Sequence, residues 1–220
     1  MSQRKPKAAI FDLDGTLLDS MGVWLRVDQE FLLRRGIEMP SDYSAIIAPI
    51  GFPAAAQYTK ERFSLPETEE EIMAEWRSMA ISAYEHDVMA KPDAIAYLKH
   101  LIQKGVPIAA ATASRPEFYV PALKRLCMYE LFSSITEIAE VKHGKGHPDV
   151  YLRAAEKLGV SPTECAVFED IYTGVKAAKE GGFITVAVYD KHHTDTKESK
   201  AIADYHINAY IELLENDIFE

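Results

Sequence analysis

Two aspartates one residue apart close a short apolar run, Ala8-Ala9-Ile10-Phe11-Asp12-Leu13-Asp14-Gly15-Thr16. An apolar run of this length ending in a turn signal has the pattern of a strand buried on both faces, as in parallel sheets. Open parallel sheets bind ligands at the carboxyl ends of their strands. Asp12 is therefore expected to face that crevice, Leu13 to turn away, and Asp14 to begin the departing loop. Carboxylates so placed suit Mg2+, which is held by one or two carboxylates plus phosphate oxygens and water. A carboxylate can also attack phosphorus and carry the phosphoryl group itself. Because Asp-Gly is equally common in plain turns, the weight of this string depends on what else reaches the same crevice.

Three further strand ends carry polar residues. Val106 to Ala111 reads as a strand and leads into Thr112-Ala113-Ser114-Arg115, where a hydroxyl and free backbone N–H groups ahead of a helix could cradle an anion. Thr112 could equally cap that helix. Lys145 sits in His143-Gly144-Lys145-Gly146-His147-Pro148-Asp149, a loop before a helix that could hold an ammonium in place. His143 and His147 are expected to be surface loop residues rather than metal ligands. Cys165 to Phe168 reads as a strand ending in Glu169 and Asp170, with Gly174 just beyond. These acids would complete a cation site with Asp12 and Asp14. The alternative, Asp170 as a simple helix N-cap, leaves the acids at two separate strand ends unexplained.

The order Asp-x-Asp, Thr, Lys, Glu-Asp resembles the four-motif series of the haloacid dehalogenase superfamily. HGKGHPDVY and VFEDIYTGV are similar to the third and fourth motifs of its beta-phosphoglucomutase-like branch, whose members carry a helical-bundle cap inserted just after the first motif. The resemblance implies a phosphomonoester hydrolase working through an aspartyl-phosphate. Asp12 would be the nucleophile and Asp14 the general acid and base. Mg2+ would be held by Asp12, Asp170 and the backbone carbonyl of Asp14, with Glu169 supporting or ligating. Thr112, the amides around Ala113, and Lys145 would hold the phosphoryl oxygens, and Ser114 and Arg115 are candidate substrate contacts. The substrate class implied is a small phosphorylated metabolite such as a sugar phosphate or nucleotide.

The rival within the superfamily is a phosphosugar mutase like the beta-phosphoglucomutases, which place an arginine in the cap shortly after a glycine. The comparable stretch here, Ile50-Gly51-Phe52-Pro53-Ala54, has no cation, although Lys60 or Arg62 could substitute. Halide removal is disfavoured because dehalogenating relatives lack the second aspartate, and Asp14 is present. A phospho-accepting signalling receiver would not carry a helical insertion after the first strand.

These residues must be positioned by elements the sequence also outlines. From residue 91 onward strands and helices alternate, which predicts an α/β fold: a doubly wound parallel sheet with a Rossmann-like core. Residues 1–17 and 91–220 would form that catalytic core and residues 18–90 an all-α helical cap. In the cap, Met21, Trp24, Leu25, Val27, Phe31 and Leu32 recur at helical spacing, as do Ile72, Trp76, Met79, Ala80 and Ala83. Pro49 to Pro53 reads as a break and Asp190 to Ser199 as a loop. After Pro92-Asp93, a helix should bury Ile95, Leu98, Leu101 and Ile102.

The 220 residues, 48% of them hydrophobic, suffice for a substantial core. A formal net charge of −10 argues against a general nucleic-acid or anionic-membrane surface, so an anionic substrate would need positive charge supplied locally. Cys127 and Cys165 are too few for a disulfide framework and are expected to be reduced, structural thiols. With a polar start at Met1 to Lys7 and no membrane-spanning run, a cytoplasmic protein is expected. The sequence does not fix the oligomeric state, although a monomer is compatible with it.

Overall fold

The structure, a computed structural model, describes residues 5–47, 50–193 and 196–219. The chain divides into two compact units, Met1–Met21 with Val88–Glu220 and, inserted between them, Gly22–Asp87.

The first unit is built on six parallel strands: β1 (Ala8–Phe11), β2 (Ile108–Thr112), β3 (Ser134–Glu137), β4 (Cys165–Glu169), β5 (Ile184–Val188) and β6 (Tyr205–Ile207). Their order across the sheet is β3-β2-β1-β4-β5-β6, and every pairing is parallel. The fold is therefore α/β, a doubly wound Rossmann-like sheet. The chain runs outward from β1 in one direction to β3, then returns to β4 on the other side of β1. In such sheets the ligand crevice opens where the winding reverses, which here is between the carboxyl ends of β1 and β4. Register brings Phe11 beside Phe168, so Asp12 leaves β1 where Glu169 ends β4.

Among its described residues the second unit holds four helices, α1 (Val23–Leu33), α2 (Tyr43–Ile47), α3 (Phe52–Phe63) and α4 (Glu69–His86). Thr68 and Glu71 form a reciprocal capping box at the start of α4, and Glu69, Glu70 and Glu71 lie in its first turn, where the helix dipole favours negative charge. Trp76 meets Phe31 and Phe52 edge-on, at 5.4 and 5.8 Å between ring centroids. Pro49 lies outside the described residues, and Pro53 is in the first turn of α3 rather than in a break. Pro is tolerated there because the first-turn N–H groups have no helical acceptor. In α4 the buried residues are Ile72, Trp76, Ala80 and Tyr84. In α1 Leu25 is exposed, and Asp28 is buried beside Val27.

Back in the sheet unit, the remaining helices are α5 (Ala94–Gln103), α6 (Pro116–Arg125), α7 (Asp149–Leu158), α8 (Tyr172–Glu180), α9 (Thr196–Ile202) and α10 (Ile211–Glu215). Helix α9 begins within the stretch expected to be a loop, Asp190 to Ser199, and runs on to Ile202. On one face of the sheet, Ala8, Ile10, Ala109, Ala111 and Val167 pack with Val150, Tyr151 and Ala154 of α7 and Ala177 and Ala178 of α8. On the other, Phe11 stacks on Phe168 at 4.3 Å, and Tyr97 of α5 and Tyr210 close around the pair. Helix α5 buries Ala94, Tyr97, Leu98 and Leu101; Ile102 is 42% exposed. The expected face was rotated because Tyr97, not counted as apolar in the pattern, is the largest buried side chain of that helix.

Residues 18–21 and 88–90, expected with the helical insertion, belong to the sheet unit. The outgoing and returning segments pair with each other: Leu18 bridges Ala90, Asp19 N–H donates to Met89 O at 2.8 Å, and Lys91 N–H donates to Leu17 O at 2.8 Å. Backbone groups at the two crossings satisfy one another there.

Candidate active site

The site begins with the ends of β1 and β4. Asp12, Glu169 and Asp170 are all buried, and one carboxylate oxygen of each lies within 4.8 Å of the others. Two glycines make this convergence sterically feasible. Gly15 has φ +83°, and a Cβ placed on it would lie 1.9 Å from Asp170 Oδ2. Any other residue there would carry backbone strain and displace the carboxylate. A Cβ on Gly174, in the first turn of α8, would lie 2.5 Å from Glu169 Oε2.

Lys145 reaches the cluster from the loop before α7. Its ammonium donates to Asp12 Oδ1 and, at 2.7 Å, to Glu169 Oε1. Tyr151, in the first turn of α7, donates its hydroxyl to the same Glu169 Oε1 at 2.6 Å. Among the described residues Glu169 Oε2 has no hydrogen-bond partner although it is buried. Thr16 Oγ1 donates to Asp170 Oδ1 at 3.1 Å, and His193, from the loop after β5, donates from Nε2 to Asp170 Oδ2 at 2.8 Å.

The electrostatics follow from burial. Desolvation pushes the Asp12 carboxyl well above its usual range, against the pull of Lys145 and with a further push from Glu169 and Asp170. Glu169 is raised for the same reason, again opposed by Lys145. Burial alone would lower the Lys145 ammonium, but the carboxylates of Asp12 and Glu169 overcome it and move it upward. Ionised, three carboxylates against one ammonium leave two uncompensated negative charges in a buried pocket. That balance, the orphaned Glu169 oxygen and an all-oxygen donor set fit a hard divalent cation.

The other residues singled out in the sequence fall in different places. Asp14 is partly buried but outside the three-carboxylate group, and it accepts from Ser20 Oγ at 2.6 Å. The four-acid cluster expected around one cation is thus three side chains. Thr112 is buried at the end of β2, the strand next to β1, and its Oγ1 accepts from Ser114 N–H at 3.0 Å. Ala113 is exposed, Ser114 partly so, and Arg115 is exposed at the N-cap of α6. His143 and His147 are exposed in the Lys145 loop, with His143 bonded to Asp149 at 2.8 Å. In the helical unit Arg62 is engaged with Asp42 at 2.8 Å and with the Tyr58 hydroxyl at 2.7 Å. Cys165 is buried, but Cys127 is exposed with φ +55°, which corrects its expected structural role.

Sequence reasoning missed Thr16, Tyr151 and His193 around the cluster. For Tyr151 a signal existed: a phenol on the buried face of an amphipathic helix needs a polar partner. His193 is 23 residues from its partner, and no local pattern reveals it.

Comparison with known proteins places this arrangement among relatives. The description "haloacid dehalogenase-like hydrolase" matches residues 6–182. Hexitol phosphatase A of Escherichia coli (strain K12) is 34% identical over 185 residues, 83% of this chain and 82% of that protein. Fructose-1-phosphate phosphatase YqaB of the same organism is 30% identical over 181 residues, 81% of this chain and 94% of that protein. Among solved structures, beta-phosphoglucomutase from Clostridium difficile superposes with a TM-score of 0.69 at 20% identity, covering 94% of this chain and 93% of that one, a likeness of fold.

Proposed function

Because this chain belongs to the haloacid dehalogenase-like hydrolases and is a phosphatase of that family, we propose that it hydrolyses a small phosphomonoester through an aspartyl-phosphate on Asp12. The observation that carries this reading is the meeting of Asp12, Lys145, Glu169 and Asp170 at the carboxyl ends of the two central strands.

An oxygen of Asp12 attacks phosphorus in line and the bond to the leaving oxygen breaks. Asp14 gives that oxygen a proton, then accepts one from the water that cleaves the acyl phosphate and regenerates Asp12. Lys145 offsets charge on the phosphoryl oxygens, and Thr112 with the amides around Ala113 orients them; phosphoryl transfer depends mainly on such positioning and charge stabilisation. Ser114 and Arg115 are placed to meet the rest of the substrate. Asp12 and Asp170 would hold Mg2+ with support from Glu169 and the backbone carbonyl of Asp14. When bound, the cation supplies a Lewis acid for the phosphoryl oxygens and cancels the cluster's excess negative charge. The inserted helical unit, Gly22–Asp87, serves as the family's cap and carries substrate discrimination.

Sugar and polyol phosphates head the candidate substrates, since the Escherichia coli relatives are a hexitol phosphatase and a fructose-1-phosphate phosphatase. Phosphate release is favoured over mutase chemistry because Phe52-Pro53-Ala54 offers no cation after Gly51 and Arg62 is already engaged by Asp42 and Tyr58. The deciding experiment is a phosphate-release screen over phosphorylated metabolites with and without Mg2+. Wild-type protein should turn over only with Mg2+, and Asp12→Asn should keep the fold while losing turnover. An Asp12→Asn variant with near-normal rates removes the nucleophile assignment. Conversion of a hexose 1-phosphate to its 6-phosphate without free phosphate favours the mutase instead.

A further inference from the structure

Among the described residues, the Asp170 carboxylate is the one acid of the cluster with a donor on each oxygen from a different part of the chain. Thr16 bonds Oδ1 from the first loop, and His193 bonds Oδ2 from the loop after β5. Strand β5 is the neighbour of β4, so its departing loop must fold back over the end of β4 for His193 to arrive there. The fold-back is built in. Asp190 Oδ1 accepts the N–H of His192 at 2.7 Å, and its carbonyl accepts the N–H of His193 at 3.3 Å, forming a compact turn that aims the imidazole.

That turn is anchored in its turn. The Asp190 side chain is fully buried and pairs with Lys91, whose ammonium also donates to Tyr189 O at 3.3 Å. Lys91 belongs to the returning crossing, where its own N–H is bonded to Leu17 O. A continuous set of contacts thus runs from the crossing, through Lys91 and Asp190, to His193 and Asp170. A buried ion pair at this point costs desolvation, and its structural effect is to hold one short turn in one place.

We propose that His193 is a positioning residue for the cation-binding carboxylate Asp170, held to that task by the Lys91–Asp190 pair. This rests on the reading of Asp12, Glu169 and Asp170 as a Mg2+ site. A ligating carboxylate is oriented by hydrogen bonds from its outer neighbours, and their loss weakens metal binding. Here Gly15 makes room for Oδ2, and the imidazole on Oδ2 together with Thr16 on Oδ1 holds the carboxylate's rotation. His193 itself is not one of the groups that converge within ligand distance of one another, so its action is through Asp170.

The test is calorimetric titration of the purified chain with MgCl2, without substrate. His193→Ala should weaken Mg2+ binding by about 10-fold, the low end of the range for losing such a neighbour, with the melting temperature little changed. His193→Gln, whose amide can place an N–H near the position of Nε2, should recover most of the loss. Asp190→Asn should weaken binding in the wild-type background and add nothing in His193→Ala, because its effect passes through the imidazole. In phosphate-release assays His193→Ala should raise the Mg2+ concentration for half-maximal rate while the rate at saturating Mg2+ stays close to wild type. Unchanged or tighter Mg2+ binding by His193→Ala would show that the imidazole merely fills the carboxylate's second partner position until a cation arrives, and overturns the proposal. Additive effects of Asp190→Asn and His193→Ala overturn the anchoring role. If the wild-type chain binds no Mg2+, the cation-site reading fails as well, which distinguishes the two failures.

Discussion

Replacing Gly174 with alanine sets two physical rules against each other. Gly174 is in the first turn of α8, its φ is not in the left-handed region, and alanine is the better helix former by about 1 kcal/mol. On helix propensity alone, Gly174→Ala should stabilise the protein. Yet the new Cβ would lie 2.5 Å from Glu169 Oε2 and 2.6 Å from its Cδ, where ordinary contact starts at 3.4 Å. The carboxylate must therefore retreat by about 3.4 − 2.5 = 0.9 Å. Glu169 is fully buried between Lys145 and Tyr151, which donate to it at 2.7 and 2.6 Å, so a retreat of that size lengthens both bonds. Hydrogen bonds to a charged group contribute about 1.5–3 kcal/mol each. Partial loss of two, less the propensity gain, leaves a net destabilisation of about 1–3 kcal/mol. For a chain of this size that lowers the melting temperature by about 2–4 °C per kcal/mol. The catalytic effect should be larger, since misplacing a catalytic array by about 1 Å costs on the order of 10²-fold in rate. The assay is kcat/KM for para-nitrophenyl phosphate with saturating Mg2+, together with thermal melts. A double-mutant cycle isolates the cause: in a Glu169→Ala background there is nothing to displace, so Gly174→Ala should become stabilising. A Gly174→Ala protein with wild-type kcat/KM and a raised melting temperature would refute the reasoning.

Two further outcomes are expected from the titrating groups. Burial raises the Asp28 carboxyl in α1 to about 6, with the Ser44 hydroxyl pulling the other way. The folded protein thus binds this proton more tightly than the unfolded chain, and stability falls as pH rises from about 4 to about 6. Asp28→Asn should stabilise the protein at pH 7 by about 1–2 kcal/mol, after discounting for residual solvent screening. The gain should vanish near pH 4, as read by urea denaturation across that range; a pH-independent effect would contradict the buried-charge account. At the acidic cluster, desolvation holds the Asp12 and Glu169 carboxyls upward. A cation must displace whatever protons they hold, so Mg2+ binding should weaken as pH falls and release protons, more at acidic than at alkaline pH. Titration in two buffers of different ionisation enthalpy checks this; the same heat in both at acidic pH would contradict it.

Much of this protein was legible in its residues alone. A strand ending in Asp12, another ending in Glu169-Asp170, and Lys145 just before a helix are local signals: apolar runs buried on both faces, interrupted by groups that cannot be buried without partners. The alternation that follows residue 91 sufficed for a doubly wound sheet, because parallel strands require crossover helices. Where two residue patterns competed, sequence reading erred, as in α5, whose buried face is set by Tyr97.

Tertiary structure alone decided which strand ends face each other. The order β3-β2-β1-β4-β5-β6 puts the winding reversal between β1 and β4, so residues more than 150 positions apart share one pocket. It also decided the composition of the acidic cluster: Asp14 bonded to Ser20 rather than among the three converging carboxylates, Tyr151 and His193 against its acids, and Gly15 and Gly174 without side chains so that two carboxylates can occupy the space. Local periodicity encodes what a segment must bury. What a buried charge will meet depends on chain crossing and register, and those exist only once the sheet has formed.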